Sequence, residues 1–396
     1  MKKSVTASLM RSINRSAILQ LIQENSPIAR SQIARQLDMS LPTVMRIVDN
    51  LIEEDLVRSC DGHGQSTGGR PPSLVEFNGK AYSVVGVDLG GTKMFGTVAD
   101  LSGTIQHELY IAHRKDDTPS DHVERLCEMI ETLLDAPRPP GQRIQGMGIG
   151  VPGVTLIPEG IVTWAPSLGW RDLPLQEILN DRFDVPVFVE NDVNLAALGE
   201  LGFGAGRGVQ NLVTIAVGTG IGAGIIIGGI LYRGHNQAAG EVCYMLPGTE
   251  FLGRHYDEFG ALECLASATG VVKRARQLMM QEGMSIPEGL SAEDVFAAAR
   301  SGEPWAQQVV SETVDYLGLA IANISATLDP EVIVLGGGVA HSADLLIEPI
   351  LQRIEGVVPF VPRLVASPLE RRAVVMGAIM LVLNLTTEYF AVKQLP

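Results

Sequence analysis

Two turns rich in glycine and threonine, each between two apolar strands, constrain the fold of this 396-residue chain more than any other feature. The stretch "YSVVGVDLGGTKMFGTVAD" spans residues 82–100, and "LVTIAVGTGIGAGIIIGGIL" repeats the arrangement at 212–231. In both stretches a strand follows the turn. A Walker loop and a Rossmann dinucleotide turn instead lead into a helix, which excludes the first and argues against the second. The repeat predicts an internally duplicated α/β body.

Both turns are candidate phosphate cradles. Glycine lets backbone N–H groups approach phosphate oxygens, and Thr92 and Thr219 add hydroxyl donors. A third glycine cluster, in "PEVIVLGGGVA", ends a strand where an adenosine could lie. Any one cluster alone is more simply a tight turn, but three on a duplicated frame are more specific. The predicted nucleotide-binding residues are Asp88, Gly90, Gly91, Thr92, Lys93, Gly218, Thr219, Gly220, Gly336, Gly337 and Gly338.

Residues 1–78 read as a separate DNA-binding domain of three short helices and a wing. Ser40 is a natural N-cap for the third helix, with Pro42 in its first turn. The apolar face of that helix is Val44, Ile47, Val48 and Leu51, which leaves polar groups facing outward. This pattern is typical of a helix-turn-helix that reads the major groove. The predicted DNA-binding residues are Ser40, Thr43, Arg46, Asn50 and, in the wing, Arg70.

The wing is predicted from "LVRSCDGHGQSTGGRPPSLVEFN", a strand, a glycine-rich loop and a second strand. An arginine on a stiff proline-anchored segment suits the narrow minor groove, which favours a contact by Arg70. The alternative is a small helical module that binds protein or caps a dimer.

The N-terminal domain at 1–78, called the head below, differs in charge from the rest of the chain, called the body. Residues 1–50 hold seven Lys/Arg and three Asp/Glu, whereas the whole chain has a net charge of −15. An acidic body would repel DNA, so any nucleic-acid contact is expected in the head. Four scattered cysteines without a CxxC pair indicate neither a disulfide framework nor a finger-type zinc site. No segment has the pattern of a signal peptide or membrane span, which favours a soluble cytoplasmic protein without a membrane partner.

The motifs together resemble the ROK family of repressors and sugar kinases. The resemblance rests on "DLGGTK" at 88–93, "GIGVPG" at 148–153, "FVENDVNLAALGE" at 188–200, "GTGIGAG" at 218–224, "AAGEV" at 238–242 and "LGGG" at 335–338. It implies an α/β body with a two-lobed actin/hexokinase-like fold and a cleft, preceded by a winged helix-turn-helix domain. We expect the lobes at 79–195 plus 375–396 and at 196–374.

A strand ending in Glu190-Asn191-Asp192 delivers a carboxylate to a helix start, where it could be a general base or an N-cap. The resemblance implies that Asp192 is the catalytic base of a kinase. It also implies sugar contacts by Asn191, Asp192, Glu241, Tyr244 and Glu263. Asp88 would join the shell of a Mg²⁺ ion bound with ATP, although a turn-stabilising role is the alternative for Asp88. Lys93 could meet phosphate or face solvent.

The family's zinc segment has lost its ligands in this chain. Tyr244 stands where a histidine is usual, and the three cysteine positions are Arg254, Tyr256 and Ala261. A substitute site from His255, Asp257, Cys243 and Cys264 would need four converging ligands at unrelated spacings. We therefore expect no zinc, while Glu263 keeps its family position.

The sequence is compatible with three functions. The first is a sugar-responsive repressor that binds a palindromic operator as a homodimer, with a sugar or sugar phosphate as effector. The second is an ATP-dependent sugar kinase, and the third a DNA-independent assembly protein. The selecting sugar contacts are expected on loops such as 153–170, which no motif defines. Pairing of dimers into tetramers stays open.

Overall fold

The computed structural model describes residues 7–60, 74–114, 116–255 and 260–387. The α-helices are α1 (Ala7–Asn25), α2 (Arg30–Gln36), α3 (Leu41–Glu53), α4 (Pro119–Leu134), α5 (Leu175–Arg182), α6 (Asp192–Phe203), α7 (Ala261–Ala266), α8 (Ala268–Gln281), α9 (Ala292–Arg300), α10 (Pro304–Leu328), α11 (Ala343–Ile354) and α12 (Ala373–Thr387). The strands are β1 (Ile28–Ala29), β2 (Val57–Cys60), β3 (Leu74–Phe77), β4 (Tyr82–Leu89), β5 (Lys93–Asp100), β6 (Ile105–Ala112), β7 (Arg143–Val151), β8 (Val154–Leu156), β9 (Ile161–Ala165), β10 (Trp170–Leu173), β11 (Val187–Asn191), β12 (Leu212–Val217), β13 (Ile221–Ile227), β14 (Ile230–Leu231), β15 (Val332–Gly336) and β16 (Arg363–Ala366).

The head has the three predicted helices and a small sheet. α3 begins where the sequence predicts, because the Ser40 hydroxyl accepts a hydrogen bond from the Thr43 N–H at 3.4 Å. The four residues of its apolar face are buried. β2 and β3 pair antiparallel as the two wing strands, and the short β1, which the sequence did not indicate, adds to β3. The wing loop at 61–73, with Arg70, lies outside the described residues.

The body has two sheets of the same topology. The first has the strand order β11-β7-β4-β5-β6, and the second has β16-β15-β12-β13-β14. In each sheet the glycine turn joins the central strand to an antiparallel neighbour, β4 to β5 and β12 to β13. On the other side the central strand pairs in parallel with β7 or β15. The internal duplication read from the two turns is therefore confirmed.

One pair of helices fills the space between the sheets. α12 packs on β4 and β7 of the first sheet, α6 packs on β12 and β13 of the second, and the two helices pack on each other. A Cβ atom added to Gly377 of α12 would lie 1.8 Å from the Leu195 carbonyl oxygen. One added to Gly199 of α6 would lie 2.1 Å from the Ala373 carbonyl oxygen. The helix backbones therefore touch, and both positions require glycine.

Glycines in the strands let the same helices approach the sheets. An added Cβ would lie 2.6 Å from Ala378 at Gly148 of β7, and 2.5 Å from Ala197 at Gly224 of β13. The division of the body near residues 195 and 375 stays a prediction, and residues 388–396 lie outside the described part of the chain.

The head is seated on the body through a continuous hydrophobic core. Buried residues of α1, α3 and β3 belong to the same cluster as buried residues of β4, α6 and α12. Hydrogen bonds add to it: Tyr82 donates its hydroxyl to the Glu54 carbonyl at 2.9 Å, and Asn78 donates its amide to the Asp55 carbonyl at 2.9 Å. Side chains of α6 and α12 therefore pack in the same core as those of the head.

The helix contact gives a stability prediction. Gly377→Ala should lower the free energy of unfolding by about 1–3 kcal/mol, because overpacking forces the backbones apart. The matched control is Gly318→Ala in α10, where the nearest atom to an added Cβ is 3.9 Å away. That change should be neutral or stabilise by up to about 1 kcal/mol, since alanine favours the helix. Urea unfolding of both variants measures the difference, and equal stabilities would contradict the contact.

Candidate functional site

The ends of β4 and β11 lie on either side of a glycine in β7, at one edge of the first sheet. Gly150 of β7 is the register partner of Asp88 in β4 on one side and of Glu190 in β11 on the other. A Cβ added to Gly150 would lie 3.4 Å from the Asp192 Cα. The parallel strands therefore bring the first glycine turn and the start of α6 to the same edge of the sheet.

Asp192 and Asp88 form an acidic pair with raised pKa values. Burial, the charge of Asp88 and that of Glu241 raise the pKa of Asp192 to about 8, although its carboxylate accepts the Val193 N–H at 2.8 Å. Burial raises the pKa of Asp88 to about 6, and the charge of Lys93 opposes that rise. Asp192 therefore holds a proton at neutral pH in the ligand-free protein and can donate a hydrogen bond.

The N-cap alternative applies to Asn191, not to Asp192. The Asn191 side-chain oxygen accepts the Asn194 N–H at 2.9 Å, and its amide donates to the Gly153 carbonyl at 3.0 Å. α6 therefore begins at Asp192, one residue earlier than the sequence indicated. Asn191 fixes both the helix start and the loop after β7, and its role in binding sugar stays a prediction.

An ion pair that the sequence does not reveal, between buried Glu190 and half-buried Arg233, joins the two sheets at this point. Glu190 is 1% exposed, and one carboxylate oxygen accepts the Arg233 Nε–H at 2.8 Å. Its other oxygen accepts the Asn191 N–H and the Asn194 amide, each at 3.0 Å. Glu190 is the penultimate residue of β11 in the first sheet, whereas Arg233 follows β14 of the second. The acidic residue was visible in the ENDVN run, but no local signal indicates a partner 43 positions away.

The second glycine turn is held by the start of α8. Ala268 donates its N–H to the Gly218 carbonyl at 2.8 Å, and the Thr269 hydroxyl donates to the Thr219 carbonyl at 3.2 Å. A Cβ added to Gly218 would meet nothing within 4 Å, so open space adjoins the turn. The apolar run at 262–279 predicts a single helix that begins at Glu263. That prediction is wrong, because Ser267 ends α7 and caps α8 by accepting the Gly270 N–H at 3.1 Å.

The third glycine cluster lies beside the second turn. Gly336 is paired with Ala216, just before that turn. Gly337 has a φ of +78°, and an added Cβ would lie 2.4 Å from the Val217 carbonyl oxygen. Gly338 adjoins open space. Gly337 is thus needed for backbone geometry, while Gly218 and Gly338 leave room for a ligand.

The first glycine turn abuts different neighbours. A Cβ added to Gly91 would lie 2.7 Å from the Ser167 Cβ, and the Gly90 carbonyl is 2.9 Å from the His113 Nε2. Thr92 and Lys93 are exposed. Ser167 lies between β9 and β10, which form a three-stranded sheet with β8 in the loop region that no motif defined.

Glu263 has an unsatisfied buried oxygen. The residue is 7% exposed, and its Oε2 accepts the Ile221 N–H at 2.8 Å. The buried Oε1 has no hydrogen-bond partner. A buried acceptor without a partner is costly, so this atom is suited to accept a ligand hydroxyl. Gly220 allows this arrangement, because a Cβ there would lie 2.7 Å from Oε2.

Glu241 and Tyr244 lie near Glu263. Burial raises the pKa of Glu241, and the Cys243 thiol donates to its carboxylate at 3.5 Å. Burial and the charge of Glu241 raise the pKa of Glu263, and a backbone hydrogen bond from Ile221 opposes that rise. Tyr244 is 55% exposed, so it lies at the rim of the group. The predicted sugar residues Asp192, Glu241 and Glu263 thus lie close enough to influence one another's protonation.

Within its described part, the stretch 238–264, which includes the family's zinc segment, does not bring together ligands for zinc. Ala261 is buried and without a ligand atom, and the Arg254 guanidinium stacks 5.3 Å from the Phe251 ring. Burial and neighbouring carboxylates raise the pKa of Cys243, which keeps its thiol protonated. Among the described residues of 238–264 no group of ligands converges. Tyr256 and Asp257 lie outside the described part.

The DNA-reading residues predicted on α3 are accessible to different degrees. Arg46 and Asn50 are exposed and border a crevice of about 350 Å³ that also contains Arg11, Arg15 and Thr386 at the end of α12. Ser40 is exposed but uses its hydroxyl as the N-cap, and Thr43 is half-buried. Within the described residues, no helix is long and apolar enough to cross a membrane.

Comparison with known proteins assigns both parts of the chain. Residues 84–384 match the ROK family, and residues 11–58 match a winged helix-turn-helix DNA-binding family. The chain is 32% identical over 389 residues to a putative xylose repressor of Caldicellulosiruptor sp. (strain Rt8B.4), covering 95% of this chain and 97% of that protein.

Two crystal structures are similar over most of their length. One is a ROK family transcriptional regulator described as a homologue of the E. coli MLC protein, with a TM-score of 0.81, 25% identity and coverage of 97% of this chain and 98% of that one. The other is a ROK family glucokinase from Streptomyces griseus in complex with glucose and AMPPNP. Its TM-score is 0.65 at 30% identity, and the match covers 76% of this chain and 98% of that one. The family match spans well over half of the chain, which therefore belongs to the ROK family.

Proposed function

We propose that this protein is a transcriptional repressor whose affinity for operator DNA falls when a sugar enters the cleft. The observation that carries the proposal is the hydrophobic core shared by the winged helix head and the α6–α12 pair. Because α6 begins at Asp192, a ligand that shifts this helix acts directly on the packing beneath the head. The similarity to a putative xylose repressor along nearly the whole chain supports the same function.

The cleft favours a neutral sugar over a sugar phosphate. Asp88, Asp192, Glu241 and Glu263 gather there, and burial raises the pKa of each. An anionic ligand would add repulsion to a site that already disfavours charge. Hydroxyl groups, in contrast, can donate to the unsatisfied Glu263 oxygen and accept from protonated Asp192. We propose xylose as the effector, on the strength of the relative's name and this chemistry.

DNA contact is proposed for the head alone. α3 presents Arg46 and Asn50 to solvent, and the net negative charge of the chain opposes DNA contact elsewhere. A homodimer would match the two half-sites of a palindromic operator. Sugar-induced lobe movement, limited by the Glu190–Arg233 pair, would change the separation of the two heads.

The proposal predicts release of the operator by xylose. In fluorescence anisotropy, xylose should weaken binding of the full-length protein to a labelled fragment of its upstream region. Glu263→Gln should raise the xylose concentration needed by at least about 10-fold, because it replaces a charged acceptor in the cleft. The exposed Glu250→Gln is the matched control and should behave as wild type. Unchanged DNA affinity at every sugar concentration would contradict the proposal.

A sugar kinase is the second candidate function. Open space beside Gly218 and Gly338, and the likeness to a glucokinase that binds glucose and AMPPNP, favour it. ATP with Mg²⁺ would be held by the glycine turns and Asp88, and the bound cation would supply charge that stabilises the transferring phosphoryl group. Against it stands the raised pKa of Asp192, because the carboxyl must lose its proton before it can accept that of a sugar hydroxyl.

The two functions are separated by an ADP-release assay with xylose, glucose and ATP–Mg²⁺. If the protein is a repressor without catalysis, ADP release should equal that of Asp192→Asn. A wild-type rate at least about 100-fold above the variant would establish a kinase with Asp192 as base.

The raised pKa of Asp192 also predicts a pH-dependent stability. The folded protein holds this proton up to about pH 8, whereas an unfolded aspartate releases it near 3.8, so the residue costs stability increasingly as pH rises between these values. Asp192→Asn removes the ionisation and should raise the melting temperature at pH 9 by at least about 2 °C more than at pH 4. The exposed Asp181→Asn on α5 serves as control. An equal shift at both pH values would show that Asp192 titrates normally.

A further inference from the structure

A cluster of two histidines and an aspartate lies outside the sugar cleft, where β6 leads into α4. His113 and Asp117 lie in the connection, and His122 lies in the first turns of α4. The side chains of His113 and Asp117 are 4% and 7% exposed, and His122 is 7% exposed. One ligand atom from each residue lies within 4.8 Å of the others. The spacing of these residues matches no metal motif, so the sequence alone does not indicate a site here.

Hydrogen bonds fix the orientation of the first imidazole. His113 Nε2 lies 2.9 Å from the Gly90 carbonyl oxygen, which can only accept, so Nε2 carries the proton. In a neutral ring, Nδ1 then offers a lone pair. It faces His122 Nδ1 at 3.2 Å and Asp117 Oδ2 at 3.8 Å. A second-sphere carbonyl that sets the tautomer of a histidine is the usual support of a metal ligand.

The separations suit one small metal ion. Ligand atoms bound at about 2.0–2.1 Å in a tetrahedron are roughly 3.3–3.4 Å apart. The distances from His113 Nδ1 to His122 Nδ1, 3.2 Å, and to Asp117 Oδ2, 3.8 Å, are close to that value. We propose that His113 Nδ1, His122 Nδ1 and Asp117 Oδ2 form a binding site for a divalent transition metal, with Zn²⁺ as the fitting ion. Two imidazoles and a carboxylate, without a thiolate, suit Zn²⁺ and Co²⁺, and three protein ligands leave a fourth position open.

The surrounding charges set the strength of this site. Asp117 Oδ2, the proposed ligand atom, also accepts the Arg114 N–H at 2.7 Å and an Arg125 N–H at 3.0 Å, which hold it in place but compete with a metal for its lone pairs. Arg125 also brings a positive charge, only partly balanced by nearby Asp121. Binding is therefore weaker than at a four-cysteine structural site, and the metal is exchangeable.

The metal would act on the first glycine turn. His113 contacts that turn twice, through Nε2 to the Gly90 carbonyl and through its N–H to the Thr92 carbonyl at 2.9 Å. Fixing the imidazole by coordination restrains the Gly90 carbonyl and hence the turn that follows Asp88. This site is separate from residues 238–264, and it departs from the sequence expectation of a chain without zinc.

The test is metal titration of the full-length protein after chelator treatment. Isothermal titration with Zn²⁺ should give one site per chain. Co²⁺ should give the visible absorption of a tetrahedral ion without the near-ultraviolet band of a thiolate ligand. His122→Ala should weaken Zn²⁺ binding at least about 100-fold, since even second-sphere changes cost 10–100-fold. Asp117→Asn is the second variant, and a melting curve checks the fold of each.

His255→Ala, in the former zinc segment, is the matched control and should bind Zn²⁺ as wild type. Loss of binding in His255→Ala, a thiolate band with Co²⁺, or full binding by folded His122→Ala would each overturn the proposal. If both ligand variants fail to fold, the wild-type stoichiometry and cobalt spectrum decide alone: no bound ion, or a thiolate band, refutes the site.

Discussion

The contact between α6 and α12 is the interaction on which the rest of the structure depends. Gly199 and Gly377 let the two helix backbones touch, and glycines in β7 and β13 let each helix lie directly on its own sheet. The first residue of α6 is Asp192, in the cleft, while α12 belongs to the core that continues into the head. One pair of helices therefore joins the two lobes, positions the central carboxylate and supports the DNA-binding domain. Because the two backbones touch, a shift of α6 would also displace α12.

The second constraint is electrostatic. Four half-buried or buried carboxyl groups share the cleft, and removal from water raises the pKa of each. Repulsion by neighbouring carboxylates adds to the rise for Asp192 and Glu263. Glu190, close by, is instead paired with Arg233 and with two amide donors. The contrast separates a structural carboxylate, fully bonded, from those free to exchange protons or bind hydroxyl groups. Glu263 is the clearest of the latter, because one of its oxygens is buried without a partner.

Features with local causes could be read from the sequence. The N-cap at Ser40 follows from a polar residue before an apolar stripe, and the duplicated hairpins follow from glycine turns between strands. Features that depend on distant partners could not. No local pattern pairs Glu190 with Arg233 or assigns the N-cap to Asn191 in preference to Asp192. The sequence does not reveal the break between α7 and α8, because one polar residue, Ser267, in an otherwise apolar run does not by itself indicate a helix end. The histidines at 113 and 122 converge only because β6 and α4 fold back on each other.

In the function proposed above, the cleft and the operator site are coupled through the α6–α12 pair. Coupling of two binding equilibria is reciprocal, so the most direct measurement is the affinity of the protein for xylose by calorimetry, with and without saturating operator DNA. The account predicts that operator DNA weakens xylose binding by the same factor by which xylose weakens DNA binding. Equal xylose affinity in the free and the DNA-bound protein would contradict it.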